Sequence, residues 1–152
     1  ELTRSHLTTD GWFKSGDILV QDTGGYYRYM ARADDLINRG GQKVDPKEVE
    51  DQLFRHPKVR SAIVVAAPEA RLGEVPFAVV VPASAEEPPT LAELQDWLAQ
   101  QGVARWKWPS RLYVRSTIPI NASGKVMRYA LRAEVEADVA ASVAGPSDVR
   151  GS

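Results

Sequence analysis

The fold of this chain is decided by Ala31-Arg32-Ala33-Asp34-Asp35-Leu36-Ile37-Asn38-Arg39-Gly40-Gly41-Gln42-Lys43-Val44-Asp45-Pro46-Lys47-Glu48. Its first five residues form a polar break between two patterned segments, which predicts a domain boundary. Leu36-Ile37-Asn38 and Gln42-Lys43-Val44 then flank Arg39-Gly40-Gly41, the pattern of a short β-hairpin. Paired glycines suit such a turn because they accept positive φ without a Cβ clash. Asp45-Pro46-Lys47-Glu48 predicts a helix start, with Asp45 as N-cap, Pro46 at the first helical position and Glu48 completing a capping box. Val49, Leu53 and Phe54 supply the expected buried stripe, and Pro57 marks the helix end.

Upstream, residues 1–16 read as a polar loop carrying Trp12-Phe13, followed by a hairpin of residues 17–21 and 26–30 around Asp22-Thr23-Gly24-Gly25. Downstream, residues 59–67 and 75–81 read as antiparallel core strands joined through Arg71-Leu72-Gly73-Glu74. Thr90 caps a helix whose Leu91, Leu94, Trp97 and Leu98 have helical spacing and which Gly102 ends. A third short strand covers 112–114, a loop covers 118–125, a helix covers 126–143, and residues 145–152 read as a disordered tail. The order βαββαβα predicts an α+β fold: an antiparallel sheet of about three strands plus a two-stranded hairpin, flanked by helices.

The bulk properties narrow the function classes. The 152 residues carry 43% hydrophobic and 26% charged side chains, ordinary for a globular domain. A formal net charge of −1 gives no global field favouring nucleic acid or an anionic membrane. The absence of cysteine excludes disulfides, thiolate metal sites and a cysteine nucleophile, and fits a reducing, cytoplasmic compartment. No apolar run reaches membrane-spanning length. His6 and His56 lie far apart, so no metal site is expected. A start at Glu1, without Met, suggests an engineered or proteolytic fragment, and a natural short protein stays open beside it.

Three segments can carry chemistry. In Gly11-Trp12-Phe13-Lys14-Ser15-Gly16-Asp17, an aspartate entering a strand can present two carboxylate oxygens to a vicinal diol such as a ribose. In the opening stretch, Arg32 beside Asp34-Asp35 can contact a nucleotide, and Gly40-Gly41 lets a thin ligand pass close to backbone. In Pro119-Ile120-Asn121-Ala122-Ser123-Gly124-Lys125, the lysine projects from a turn as a compact charge suited to phosphate oxygens. This last segment is not a Walker A loop, since Pro119 and Val126 stand where glycine and Ser/Thr are needed. Taken singly, each is an ordinary solvated turn.

Taken together and in this order, the segments resemble the adenylate-forming superfamily of acyl-CoA synthetases, aryl-acid ligases, luciferases and peptide-synthetase adenylation domains. The resemblance covers roughly residues 8–135. It is carried by Gly16-Asp17, Arg32 with Asp34-Asp35, Asn38-Arg39-Gly40-Gly41, Glu48-Val49-Glu50, Trp106-Lys107-Trp108-Pro109, and Pro119 through Lys125 with Arg128 and Leu131. It implies that residues 1–33 are the tail of a large N-terminal domain and that 34–135 are the mobile C-terminal domain, with 136–152 a helix end and tail. It also implies ribose binding by Asp17 and Arg32, and a hinge at Asp34. Lys125 becomes the catalytic lysine of acyl-adenylate formation, and Gly40 and Gly41 line the pantetheine tunnel in the thioester step.

The implied reaction activates a carboxylic acid with Mg-ATP and passes the acyl group to the thiol of CoA or of a carrier-protein phosphopantetheine. The ATP phosphates and the acid are held mainly by the N-terminal domain, so the chain is inactive alone. Two departures from the family pattern stand out: Ala31 where glycine is usual, and tryptophan on both sides of Lys107.

Two other classes compete. Arg105, Trp106, Lys107, Trp108, Arg111, Tyr113 and Arg115 interleave cations with aromatics as single-strand nucleic-acid binders do, although tryptophans packed in a core with solvated cations give the same pattern. A non-catalytic interaction or regulatory module is the other, with Lys125 as the target of a lysine acetyltransferase.

Overall fold

The computed structural model describes residues 7–143. The expected loop at residues 1–6 and the expected tail at 145–152 lie outside the described residues. The chain divides into two compact units, Glu1–Leu36 and Ile37–Ser152.

The first unit is a hairpin of β1 (Asp17–Gln21) and β2 (Tyr27–Arg32), which pair antiparallel with a bulge between Ile18 and Leu19. Leu19, Tyr26, Tyr27, Tyr29 and Met30 are exposed, as are Trp12 and Phe13 before it. Ala31 is its buried residue among those described. A two-stranded ribbon with so little burial is marginal by itself.

The second unit is built on β5 (Val59–Glu69) and β6 (Gly73–Pro82), antiparallel over their length. Both sheet faces are covered, which is why these strands read as near-continuous apolar runs rather than alternating ones. On one face Ala62, Val64, Ala66, Ala78 and Val80 meet α1 (Pro46–Leu53) and α2 (Leu91–Gln100) through Val49, Leu53, Leu94 and Leu98. On the other face Ile63, Val65, Ala67, Phe77 and Val79 meet α3 (Arg128–Val143) through Leu131 and Val135.

The hairpin β3 (Ile37–Arg39) and β4 (Gln42–Val44) plugs Ile37 and Val44 into the first core and joins β6 through the pairing of Arg39 with Gly73. The hairpin is therefore part of one five-stranded sheet, not a separate ribbon. The third strand, β7 (Arg111–Val114), pairs with β6 in parallel, where an antiparallel partner was expected. The reason is α2, whose crossover returns the chain to the same end of the sheet.

Two local expectations at α1 fail. Asp45 caps through the Lys47 N–H at 2.9 Å, but Glu48 closes no capping box, because both its oxygens are taken by the Lys107 ammonium at 2.6 and 2.7 Å. Phe54 is 63% exposed, since one residue past Leu53 it is turned about 100° off the buried stripe.

The outer edge of β5 carries the most demanding polar contact. Glu50 is only 4% exposed. Its Oε1 accepts from the Val64 N–H at 2.7 Å and from Arg128 Nη1 at 2.8 Å, and its Oε2 accepts from Arg128 Nη2 at 2.8 Å. Arg128 Nη1 also donates to the Val64 carbonyl at 3.1 Å. Both outward-facing backbone groups of an edge residue are thereby satisfied, and α1, β5 and the start of α3 are tied at one point. Removing one partner of such a pair leaves an uncompensated charge. Glu50→Ala is expected to cost about 3 kcal/mol in urea unfolding, and Glu50→Met with Arg128→Met much less. A loss under about 1 kcal/mol for Glu50→Ala would show that the pair does not secure the fold.

His56, just past α1, is buried against Trp97, edge to face at 5.2 Å, and its Nδ1 accepts from the Lys58 N–H at 3.1 Å. Burial holds its pKa below the usual 6.5, with the Lys58 ammonium lowering it further and Glu93 opposing. The unfolded chain therefore takes up this proton more readily than the folded one, and stability is lost as pH falls from about 6.5 towards the lowered folded value. Wild type is expected to lose more unfolding free energy between pH 7 and pH 5 than His56→Phe does. Equal losses would contradict the assignment.

Candidate functional site

The expected ribose-contacting pair comes together in the first unit. Asp17 opens β1 and Arg32 closes β2, and they are cross-strand partners. Arg32 Nη1 lies 3.8 Å from Asp17 Oδ1, and Arg32 Nη2 donates to the Ser15 carbonyl at 3.4 Å. Gly16 adopts φ +76°, and a Cβ there would lie 3.5 Å from Arg32 Nη2 and 3.7 Å from Asp34 Oδ2. A Cβ at 16 would make only ordinary contact with these two groups, so the requirement for glycine here is its positive φ rather than space. Asp34 sits in a 3-10 turn, Ala33–Asp35, directly after β2. The arrangement offers an exposed carboxylate beside an exposed guanidinium, a combination that can accept from hydroxyls and donate to oxygens.

In the second unit Gly40 and Gly41 form the β3–β4 turn with φ +57° and +87°. Their missing side chains face differently. A Cβ on Gly40 would lie 3.1 Å from Leu72 Cδ2, whereas one on Gly41 would meet nothing within 4 Å. Gly40 is thus required by packing and backbone, and Gly41 presents bare backbone to open space. The base of this turn is fastened on two sides: the Gly40 N–H donates to the Leu72 carbonyl at 2.7 Å, and Arg39 Nη1 donates to the Trp106 carbonyl.

Lys125 ends a tight loop organised by one side chain. Asn121 Oδ1 accepts from the Ser123 N–H at 3.0 Å, the Ser123 hydroxyl at 2.8 Å and the Lys125 N–H at 2.9 Å. Gly124 takes φ +79°, and Ile120 pairs with Val126 across the loop. The Met127 N–H then donates to the Pro119 carbonyl at 2.9 Å, and α3 begins at Arg128. The lysine therefore stands on a loop clamped at its neck and followed at once by the buried Glu50–Arg128 pair. Its side chain is exposed and enters no ion pair among the described residues.

Several expectations are redistributed. Lys125 and the Gly40–Gly41 turn occupy separate loops with no hydrogen bond between them among the described residues. The cation–aromatic stretch is engaged within the domain: Trp106 and Trp108 pack against the first core, and Trp108 Nε1 donates to the Val103 carbonyl at 2.8 Å. Lys107 pairs with Glu48 and Arg115 with Glu134, so this stretch is not a free stacking platform. Glu74 and Arg132 carried no signal in the sequence; they are 58 positions apart and meet only in the fold. A cleft of about 390 Å³ beside Phe54 and residues 61–63 contains none of the expected site residues. Among the described residues no cluster could hold a metal ion, and no helix is long and apolar enough to cross a membrane.

Comparison with known proteins identifies the domain. Residues 48–125 match the family model described as the AMP-binding enzyme C-terminal domain. A long-chain-fatty-acid–CoA ligase of Thermus thermophilus is 43% identical over 132 residues, covering 87% of this chain and 24% of the relative. A 2,3-dihydroxybenzoate-AMP ligase of Bacillus subtilis is 39% identical over 132 residues, again 87% and 24%. The crystal structure of ATP-bound MatB from Rhodopseudomonas palustris superimposes with a TM-score of 0.77 at 33% identity, covering 88% of this chain and 26% of that one. The chain thus spans about a quarter of the length of these relatives. It belongs to the AMP-binding enzyme C-terminal domain family, the small domain of the adenylate-forming superfamily.

Proposed function

We propose that this chain is the C-terminal part of an ATP-dependent acid–thiol ligase and that it serves both halves of the reaction. The observation that carries the reading is Lys125: an exposed ammonium with no ion-pair partner among the described residues, on a loop held by Asn121 and anchored through Arg128. In the first half a carboxylate attacks the α-phosphate of Mg-ATP, forming acyl-adenylate and releasing pyrophosphate. Negative charge builds on oxygens of the α-phosphate and the acid. A lysine whose backbone is already fixed can offset that charge with only its own side chain left to order, and pre-set groups of this kind contribute most.

In the second half the thiol of CoA or of a carrier-protein phosphopantetheine attacks the adenylate carbonyl and displaces AMP. The Gly40–Gly41 turn is suited to border the thiol's path, because Gly41 offers backbone with open space where a side chain would be. The two functions reside on separate loops of one rigid unit, so rotation about a hinge at Asp34 would exchange them. Asp17 and Arg32 would hold the ribose of ATP from the other side of that hinge. The exposed aromatic face of the β1–β2 hairpin fits a segment that is covered by the remainder of a longer ligase.

The test separates the halves in the polypeptide that carries this domain. Lys125→Ala is expected to lower acyl-adenylate formation by about 100-fold or more while thioester formation from supplied acyl-adenylate is retained. Gly41→Leu is expected to do the reverse. Equal loss of both halves in Lys125→Ala, or damage confined to adenylation in Gly41→Leu, would refute the division of labour.

A further inference from the structure

The Gly40–Gly41 turn sits on strands of only three residues each. Ile37 and Val44 fix the base of this hairpin in the core, but Asn38, Gln42 and Lys43 nearer the turn are exposed. A ribbon this short does not hold its own tip in place. Something outside it must set where the glycines stand.

Glu74 meets that need. It lies on β6 next to Gly73, the residue paired with Arg39. Its Oε2 accepts from the Asn38 N–H at 2.8 Å, and its Oε1 accepts from Arg132 Nη2 at 2.9 Å. Arg132 is itself oriented by Glu136, whose Oε1 accepts from its Nε at 2.9 Å. A second tether lies one step along: the Gly40 N–H donates to the Leu72 carbonyl, and that carbonyl is presented by a turn in which Glu69 Oε2 accepts from the N–H groups of Arg71 and Leu72.

We propose that Glu74 is a positioning residue for the thiol-transfer step, acting through the Gly40–Gly41 turn. Its carboxylate bridges the hairpin backbone to α3, the helix that follows Lys125. Arg132 stands one turn after Arg128, so the helix that fixes the lysine loop also fixes the acceptor that fixes the glycine turn. The two loops keep one geometry relative to each other, as a domain that presents them alternately requires. Glu74 is partly exposed and Asn38 is exposed, so water can replace the lost bond and removal of the carboxylate shifts the turn without unfolding the core. Small displacements of a positioning element, even one remote from the chemistry, are costly in rate.

This inference rests on the reading that the glycine turn serves the thioester half, and the experiment separates the two. Glu74→Ala, Glu74→Gln and Gly41→Leu are compared in the polypeptide that carries this domain, with both half-reactions measured separately and amide exchange followed at Gly40. Glu74→Ala is expected to slow thioester formation from supplied acyl-adenylate by about 10- to 100-fold and leave pyrophosphate exchange within about twofold. Exchange protection at the Gly40 N–H is expected to fall in parallel. Glu74→Gln keeps an oxygen acceptor for the Asn38 N–H and is expected to recover most of the rate.

If Gly41→Leu impairs thioester formation and Glu74→Ala does not, the role of Glu74 is refuted and the glycine-turn reading stands. If Gly41→Leu leaves thioester formation intact, the reading falls and the inference with it. If Glu74→Ala slows both halves equally, or Glu74→Gln is no better than Ala, the residue is merely structural and the positioning role is refuted.

Discussion

At the outer edge of β5 a buried carboxylate, Glu50, takes both terminal nitrogens of Arg128 while the backbone of Val64 completes the set on either side. Removing a carboxylate from water is expensive unless each oxygen finds a donor, and here each does. The constraint explains more than the edge. It brings α1, which packs on one face of the sheet, into register with α3, which packs on the other. It also fixes the first residue of α3, three positions after Lys125. A change that let α3 slide would move the lysine loop with it, because the Pro119–Met127 and Ile120–Val126 pairings leave that loop no independent freedom at its neck.

The same helix reaches the Gly40–Gly41 turn by a different route. Arg132 holds Glu74, Glu74 holds the Asn38 backbone, and the Gly40 N–H is held by Leu72. Thus two loops remote in sequence are referenced to one helix, the glycine turn through the charge-assisted bonds of Glu74 and the lysine loop through backbone pairings at its neck. Under the proposed division of labour, such an arrangement suits a domain that presents one loop and then the other.

The sequence disclosed the elements whose signals are local. The apolar runs of β5 and β6, the turn at Gly40-Gly41, the Asp45-Pro46 entry to α1 and the Thr90 cap of α2 each follow from chemistry within a few residues. It misled where a distant partner, the phase of a helix or the connectivity intervened. Glu48 has capping-box spacing, but the Lys107 ammonium competes for its carboxylate and wins both oxygens. Phe54 is apolar and adjacent to a buried leucine, yet helix geometry turns it outward. The parallel pairing of β7 follows from the α2 crossover, a matter of connectivity that strand patterning does not express. In the candidate site, motif-like spacing picked out Asp17 and Arg32, which are neighbours in the fold. The supports carried no such signal, since Asn121 acts by its side-chain oxygen on the backbone of the turn after it and Glu74 through a partner 58 residues away.

The central claim is that Lys125 stands on a preset loop in order to serve carboxylate activation by ATP. The most direct measurement is carboxylate-dependent ATP–pyrophosphate exchange by the polypeptide that carries this domain, surveyed over aliphatic and aromatic acids. The account predicts exchange with at least one class of acid and none without acid. Absence of exchange with every acid, from a folded protein that binds ATP, would contradict it.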